Sequence, residues 1–114
     1  MDVIADAYEA LKELEDEGVT VRQGWYDENI SHTHITLWNL GEATEAGSDD
    51  EEEVESYPIQ VTVFSKSDQN DLIERIKKLM RKAGYTFNGR SPDDAKPQQG
   101  IYVQAVRFNK IQEV

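Results

Sequence analysis

The chain of 114 residues has no cysteine, which excludes a disulfide framework and any thiolate metal site. No apolar run approaches the roughly 20 residues a membrane-spanning helix needs, and no signal-peptide pattern opens the sequence. A soluble, intracellular protein is therefore expected. The motifs that announce common chemistries are missing as well. There is no Gly-rich phosphate loop, no H-E-x-x-H and no Ser/His/Asp arrangement with supporting context, so an enzyme is not expected and no cofactor is implied. Bases are absent from Gly41 to Ser56, where Glu42, Glu45, Asp49, Asp50, Glu51, Glu52, Glu53 and Glu55 stand. Without these eight, 15 acids face 12 bases, so one segment accounts for most of the net charge of −11. A basic footprint for nucleic acid is lacking, and sequence-specific binding to it is not expected.

What the chain does contain is one strand–helix unit with consistent signals. Ile59, Val61 and Val63 alternate with Gln60, Thr62 and Phe64, the period-two pattern of a strand whose faces see different surroundings. Ser67 and Asp68 offer N-caps, and Leu72, Ile73, Ile76, Leu79, Met80 and Ala83 follow at helical spacing. Lys77, Lys78, Arg81 and Lys82 suit the helix C-terminus, and Gly84 ends it.

Around this unit the remaining elements fall in order. Asp2 caps a first helix with a stripe of Val3, Ile4, Ala7, Tyr8, Leu11 and Leu14, and its acidic end at Glu15, Asp16 and Glu17 is expected to fray. Strands are read at Val19–Trp25, His34–Leu40, Tyr57–Lys66 and Ile101–Ile111, the second antiparallel to the third. Tyr85-Thr86-Phe87 reads as a short extended piece, Asn88-Gly89 as a turn and Ser91-Pro92 as loop. The fold class expected is α+β. It has two layers, an antiparallel sheet of about four strands in the order α-β-β-β-α-β, and two helices on one face. Gly41–Ser56 is expected to be a mobile, acidic hairpin loop inside a single domain spanning residues 1–114. Between copies of the chain its charges repel, most at low salt.

Candidate sites are few. His32 and His34 form an H-x-H pair but lack a third ligand, so two partly exposed strand histidines are preferred to a metal site. Asp27 with Glu28, and Asp93 with Asp94, occur among turn-forming residues and read as turns rather than acid–base pairs. Asp49 to Glu53 lacks the spacing of an EF-hand and reads as a solvated tip. Trp25, Tyr26 and Trp38 are large apolar groups near the sheet and read first as core, the lesser reading being that Trp38, on the face opposite Ile35 and Leu37, is a subunit contact.

The segments Trp25-Tyr26, Ile35-Thr36-Leu37-Trp38-Asn39-Leu40, Ile59 to Lys66, Ala83-Gly84-Tyr85, and Gly100-Ile101-Tyr102 leading to Val106-Arg107-Phe108 carry a resemblance. In that order they resemble the tail-completion, or tail-terminator, proteins of long-tailed bacteriophages and prophages. The resemblance covers nearly the whole chain except the acidic loop, which is longer and more acidic than the family pattern. It implies a structural, non-catalytic virion protein assembled in the host cytoplasm. Such a protein forms a ring, commonly a hexamer, at the head–tail junction, caps the tail tube protein and presents a surface to the head connector protein. Asp49, Asp50, Glu51, Glu52 and Glu53 would then be an assembly or lumen-facing loop. The alternative reading is an acidic DNA mimic that inhibits a basic nucleic-acid-binding partner.

Overall fold

The computed structural model describes residues 2–24, 32–41, 43–44, 54–92 and 100–113. Its elements are α1 (Val3–Ala10), α2 (Lys12–Asp16), β1 (Thr20–Gln23), β2 (His34–Asn39), β3 (Ala43–Thr44), β4 (Val54–Ser65), α3 (Asn70–Lys82), β5 (Thr86–Pro92) and β6 (Tyr102–Glu113). Among the described residues the sheet runs β1-β2-β4-β6-β5, and the two-residue β3 pairs with β4 off this path.

The α+β architecture with helices on one face is as expected, but its count and order differ. Five strands and the short β3 replace four, three helices replace two, and β1 joins the edge of the sheet parallel to β2. The N-terminal stripe is divided at Leu11, whose backbone (φ −99°, ψ 8°) leaves the helix and lets Leu11 and Leu14 both reach the core with no exposure. The acidic end of α2 is closed rather than frayed. Val19 N–H donates to the Leu14 carbonyl at 3.0 Å and Gly18 N–H to the Glu15 carbonyl at 2.9 Å, the paired bonds of a Schellman motif. Arg75 of α3 also holds Glu17 and Glu13 across the interface.

The central helix ends as its sequence predicts. Gly84 takes φ +99°, and Tyr85 N–H returns to the Met80 carbonyl at 3.0 Å. Its start is different: Gln69, not Ser67 or Asp68, is the N-cap, with no side-chain capping bond. The alternation in β4 works as read. Ile59, Val61 and Val63 face α1 and α3 in one core with Ile35, Leu37, Val106 and Phe108. Ile73, Ile76 and Met80 of α3 are fully buried in that core.

Asn88-Gly89 is a bulge, not a turn. The ladder with β6 shifts register between Phe87 and Gly89, and Gly89 supplies the positive φ (+125°) that a turn signal and a bulge share. Ser91 and Pro92 belong to β5, an edge strand, where a missing N–H is tolerated. The hairpin between β2 and β4 has the expected antiparallel sense, with Leu37 opposite Val61. Its stem extends into the stretch read as loop, since Ala43 and Thr44 pair with Ser56 and Glu55. Residues 45–53, including the acids Asp49 to Glu53, lie outside the described residues, as do Trp25, Tyr26, Asp27, Glu28, Asp93 and Asp94.

Candidate assembly surface

Strand alternation places two sets of side chains on the sheet. One set meets the helices, and the other, including His34, Thr36, Trp38, Gln60, Thr62 and Arg107, lies on the opposite face. That face is divided. Around His34, Thr36, Thr62, Phe64, Val103 and Ala105 it is buried. Towards the far ends of β2 and β6 it is open, with Trp38 48%, Leu40 42% and Ile111 54% exposed.

Register aligns Trp38, Gln60 and Arg107 in one row across β2, β4 and β6. Arg107 Nε donates to Gln60 Oε1 at 3.2 Å, and Gln60 Nε2 donates to Thr62 Oγ1 at 3.0 Å. In the next row Leu40 N–H donates to the Pro58 carbonyl at 3.1 Å, opposite Asn109. Beyond it, Ser56 Oγ donates to Asn109 Oδ1 at 2.7 Å. The open half is thus an ordered polar lattice bordered by three large exposed apolar side chains. Trp and Arg are the side-chain types enriched in interface centres.

Trp38 stands on the face away from Ile35 and Leu37, as alternation puts it, but at 48% exposed it is not the core residue expected, because that end of the face is open. The histidines differ from expectation too. His34 is 1% exposed and stacks on Phe64 with centroids 5.1 Å apart, correcting the expectation of a partly exposed side chain. The correction has a local cause: its face is buried at that end of the sheet, so alternation gives it no solvent. His34 Nδ1 donates to the His32 carbonyl at 3.2 Å, while the exposed His32 shares a 2.8 Å hydrogen bond through Nε2 with Thr20 Oγ1. The two imidazoles are thus engaged separately, and no group of three or more potential ligands gathers among the described residues.

Sequence reasoning missed three clusters. The Arg107–Gln60 pair had one legible sign, the polar positions alternating with Val106 and Phe108. Arg75 pairs with Glu17 and Glu13, and the hydrogen bond and charge of Arg75 hold the Glu17 carboxyl below the usual glutamate range. In the third cluster Tyr85 Oη donates to Asp6 Oδ2 at 2.9 Å and Lys110 Nζ reaches the same oxygen at 3.1 Å. Burial first, then the hydrogen bond and charge of Asp6, push the Tyr85 phenol above its ordinary value. Neither of these last two has a sequence signature, because the partners come from distant elements.

No protein-family model and no curated protein matches the chain. Solved structures do. A chain of the virion of a native gene transfer agent particle superposes with a TM-score of 0.64 at 12% identity, covering 96% of this chain and 93% of that one. A chain from an extracellular contractile injection system, in a structure of its sheath/tube terminator in the extended state, superposes with a TM-score of 0.51 at 6% identity. That match covers 97% of this chain but 56% of the other, so this chain spans little more than half its length. At such identities the likeness is one of fold.

Proposed function

We propose that this protein is a non-catalytic structural subunit of a phage-type tail, a terminator that assembles as a ring on the end of the tail tube. The observation that carries the reading is the near-complete fold likeness to a gene transfer agent virion chain, over 96% of this chain and 93% of that one. The likeness to a chain of a sheath/tube terminator structure points the same way. In this reading the ring, a hexamer as the family resemblance implies, contacts the tail tube protein on one side and the head connector protein on the other. It forms in the host cytoplasm and remains at the head–tail junction. Trp38 is a subunit contact, and Asp49 to Glu53 form an assembly or lumen-facing loop whose like charge keeps passing DNA from sticking.

The test is to add purified protein to growing tail tubes and image them by electron microscopy. A ring at the tube end with arrested elongation is expected, and tubes that lengthen unchanged would overturn the reading. The density of carboxylates between Glu42 and Glu55 favours one other reading, a DNA mimic. That reading instead predicts a monomer that captures a basic DNA-binding protein and leaves tubes unaffected.

A further inference from the structure

Charge is sorted between the two edges of the sheet. β1 and β5 are the edge strands, with α2 packed beside the first and α3 beside the second. Residues 2–23, the α1–α2–β1 unit, hold seven acids and two bases, a net charge of −5. Residues 70–92, the α3–β5 unit, hold two acids and six bases, a net charge of +4. A chain whose net charge is −11 thus keeps one cationic flank.

Inside a subunit the two units share charge at Arg75, which bonds Glu13 and Glu17. Arg75 reaches α2 from one side of α3, and on the other side Lys77 lies over the Phe87 ring of β5, 4.4 Å from its centre. At about 3.6 residues per turn, Lys78 and Arg81 fall on the arc between these two, away from the buried Ile73, Ile76 and Met80. Both are exposed, and neither has an ion-pair partner among the described residues. On the opposite flank Glu15 lines a recess at the β1 edge with Gly18, Thr20 and Arg22, and Asp16 is exposed beside it. These two acids also have no ion-pair partner among the described residues. Trp38, the first residue of β2 beyond the end of β1, borders this flank with an exposed aromatic side chain.

We infer that the Lys78–Arg81 ridge of α3 docks on the Glu15–Asp16 end of α2 in a second copy of this chain. The ridge points away from α2 of its own subunit, whereas copies lined up head to tail bring each flank to its complement. The contact repeats between subunits the pairing that Arg75 makes within one. It is heterologous, and it closes into a ring where the rotation between copies allows. β5 carries a bulge and Pro92, which blunt strand-to-strand pairing, so side chains carry the contact. Exposed ion pairs are individually weak, so these charges set register and orientation more than strength. The inference rests on the ring reading above and names the flanks that join its subunits.

At about 0.1 M salt the Debye length is about 10 Å, which damps repulsion between whole acidic molecules but leaves contacts at ion-pair distance. Sedimentation velocity in that buffer tests the inference with two variants, Lys78→Glu with Arg81→Glu, and Glu15→Lys with Asp16→Lys. The wild type is expected to self-associate, and each variant alone at least about tenfold more weakly. An equimolar mixture should recover association to within about threefold of wild type, because each altered flank then meets its complement. All four side chains are exposed, so both variants should melt like wild type. The single changes Lys78→Glu and Asp16→Lys replace either one that melts early. A wild type that stays monomeric overturns the inference, as do variants that associate like wild type. A mixture no stronger than its parts also overturns it, and assigns the ridge to a different acidic partner. Tube capping is scored separately. Variants that associate like wild type and still cap tubes sink this inference alone, while rescue by mixing without capping sinks the terminator reading alone.

Discussion

Lys110, in the last strand, lies 3.1 Å from Asp6 in the first helix, and Tyr85 Oη meets the same carboxylate oxygen at 2.9 Å. The three side chains tie α1 to β6 at the point where α3 ends. Lys110 also sits 5.3 Å from the centre of the Tyr85 ring, over its face. One carboxylate thus serves a phenol and an ammonium, so its removal strands both. Asp6→Ala is expected to cost about 1–3 kcal/mol, measured by urea denaturation, because two partly buried donors lose their acceptor.

Tyr85 gives the protein a specific alkaline sensitivity. Its folded-state pKa lies above its unfolded value, so the folded chain keeps a proton that the unfolded chain releases. Its contribution is complete below about pH 10, the ordinary tyrosine value, and declines as pH rises through the folded pKa. Denaturation midpoints from pH 8 to pH 11 should fall more steeply for the wild type than for Tyr85→Phe. Parallel curves would show that Tyr85 ionises alike in both states.

Glu17 shifts the other way. Its carboxyl is held low by Arg75, and both groups lie at the surface. The linked stability is present above the ordinary glutamate pKa and lost as pH falls through the lowered one. Carbon-detected titration should place Glu17 below the ordinary range in wild type and return it there in Arg75→Gln. High salt should narrow the difference.

Ile76 is fully buried in the centre of the helix–sheet core. Ile76→Asp places an unpaired charge there and should cost at least about 3 kcal/mol, a large share of the about 5–15 kcal/mol that holds an ordinary domain folded. A mutant that melts cooperatively near the wild-type temperature would mean the helix can turn another face inward.

Thr36 presents the opposite opportunity. It is 1% exposed, and its hydroxyl has no hydrogen-bond partner among the described residues. Thr36→Val keeps the shape, removes the buried polar atom and suits a strand, so a gain of about 1 kcal/mol is expected in urea denaturation. Destabilisation would reveal a partner for the hydroxyl.

Where the sequence was legible, several local signals agreed. The alternation of Ile59, Val61 and Val63, the stripe from Leu72 to Met80 and the stop at Gly84 require no knowledge of the rest of the chain. Trp38 was placed on its face by the same alternation. Signals with two structural meanings mislead: Asn88-Gly89 reads as a turn, yet the positive φ of Gly89 serves a bulge in an edge strand. The burial of His34 was hidden because alternation tells which face a residue takes, not whether that face is covered. Arg107–Gln60, Arg75–Glu17 and Asp6–Lys110 depend on which strands and helices become neighbours, which no local pattern records.

The pairing of β4 with β6 at the middle of the sheet also sets an order of events. The partners lie between 37 residues apart, at Ser65 and Tyr102, and 59 apart, at Val54 and Glu113. During synthesis β4 therefore emerges with α3 well before the strand that fills its free edge. Until β6 arrives, Ile59, Val61 and Val63 have a helix to pack on but an unpaired backbone beside them. Closing so long a loop is slow, and an open edge meanwhile invites pairing with other chains. Truncations that stop short of β6 should therefore aggregate rather than fold, and the complete chain should gain its sheet in one late, cooperative step.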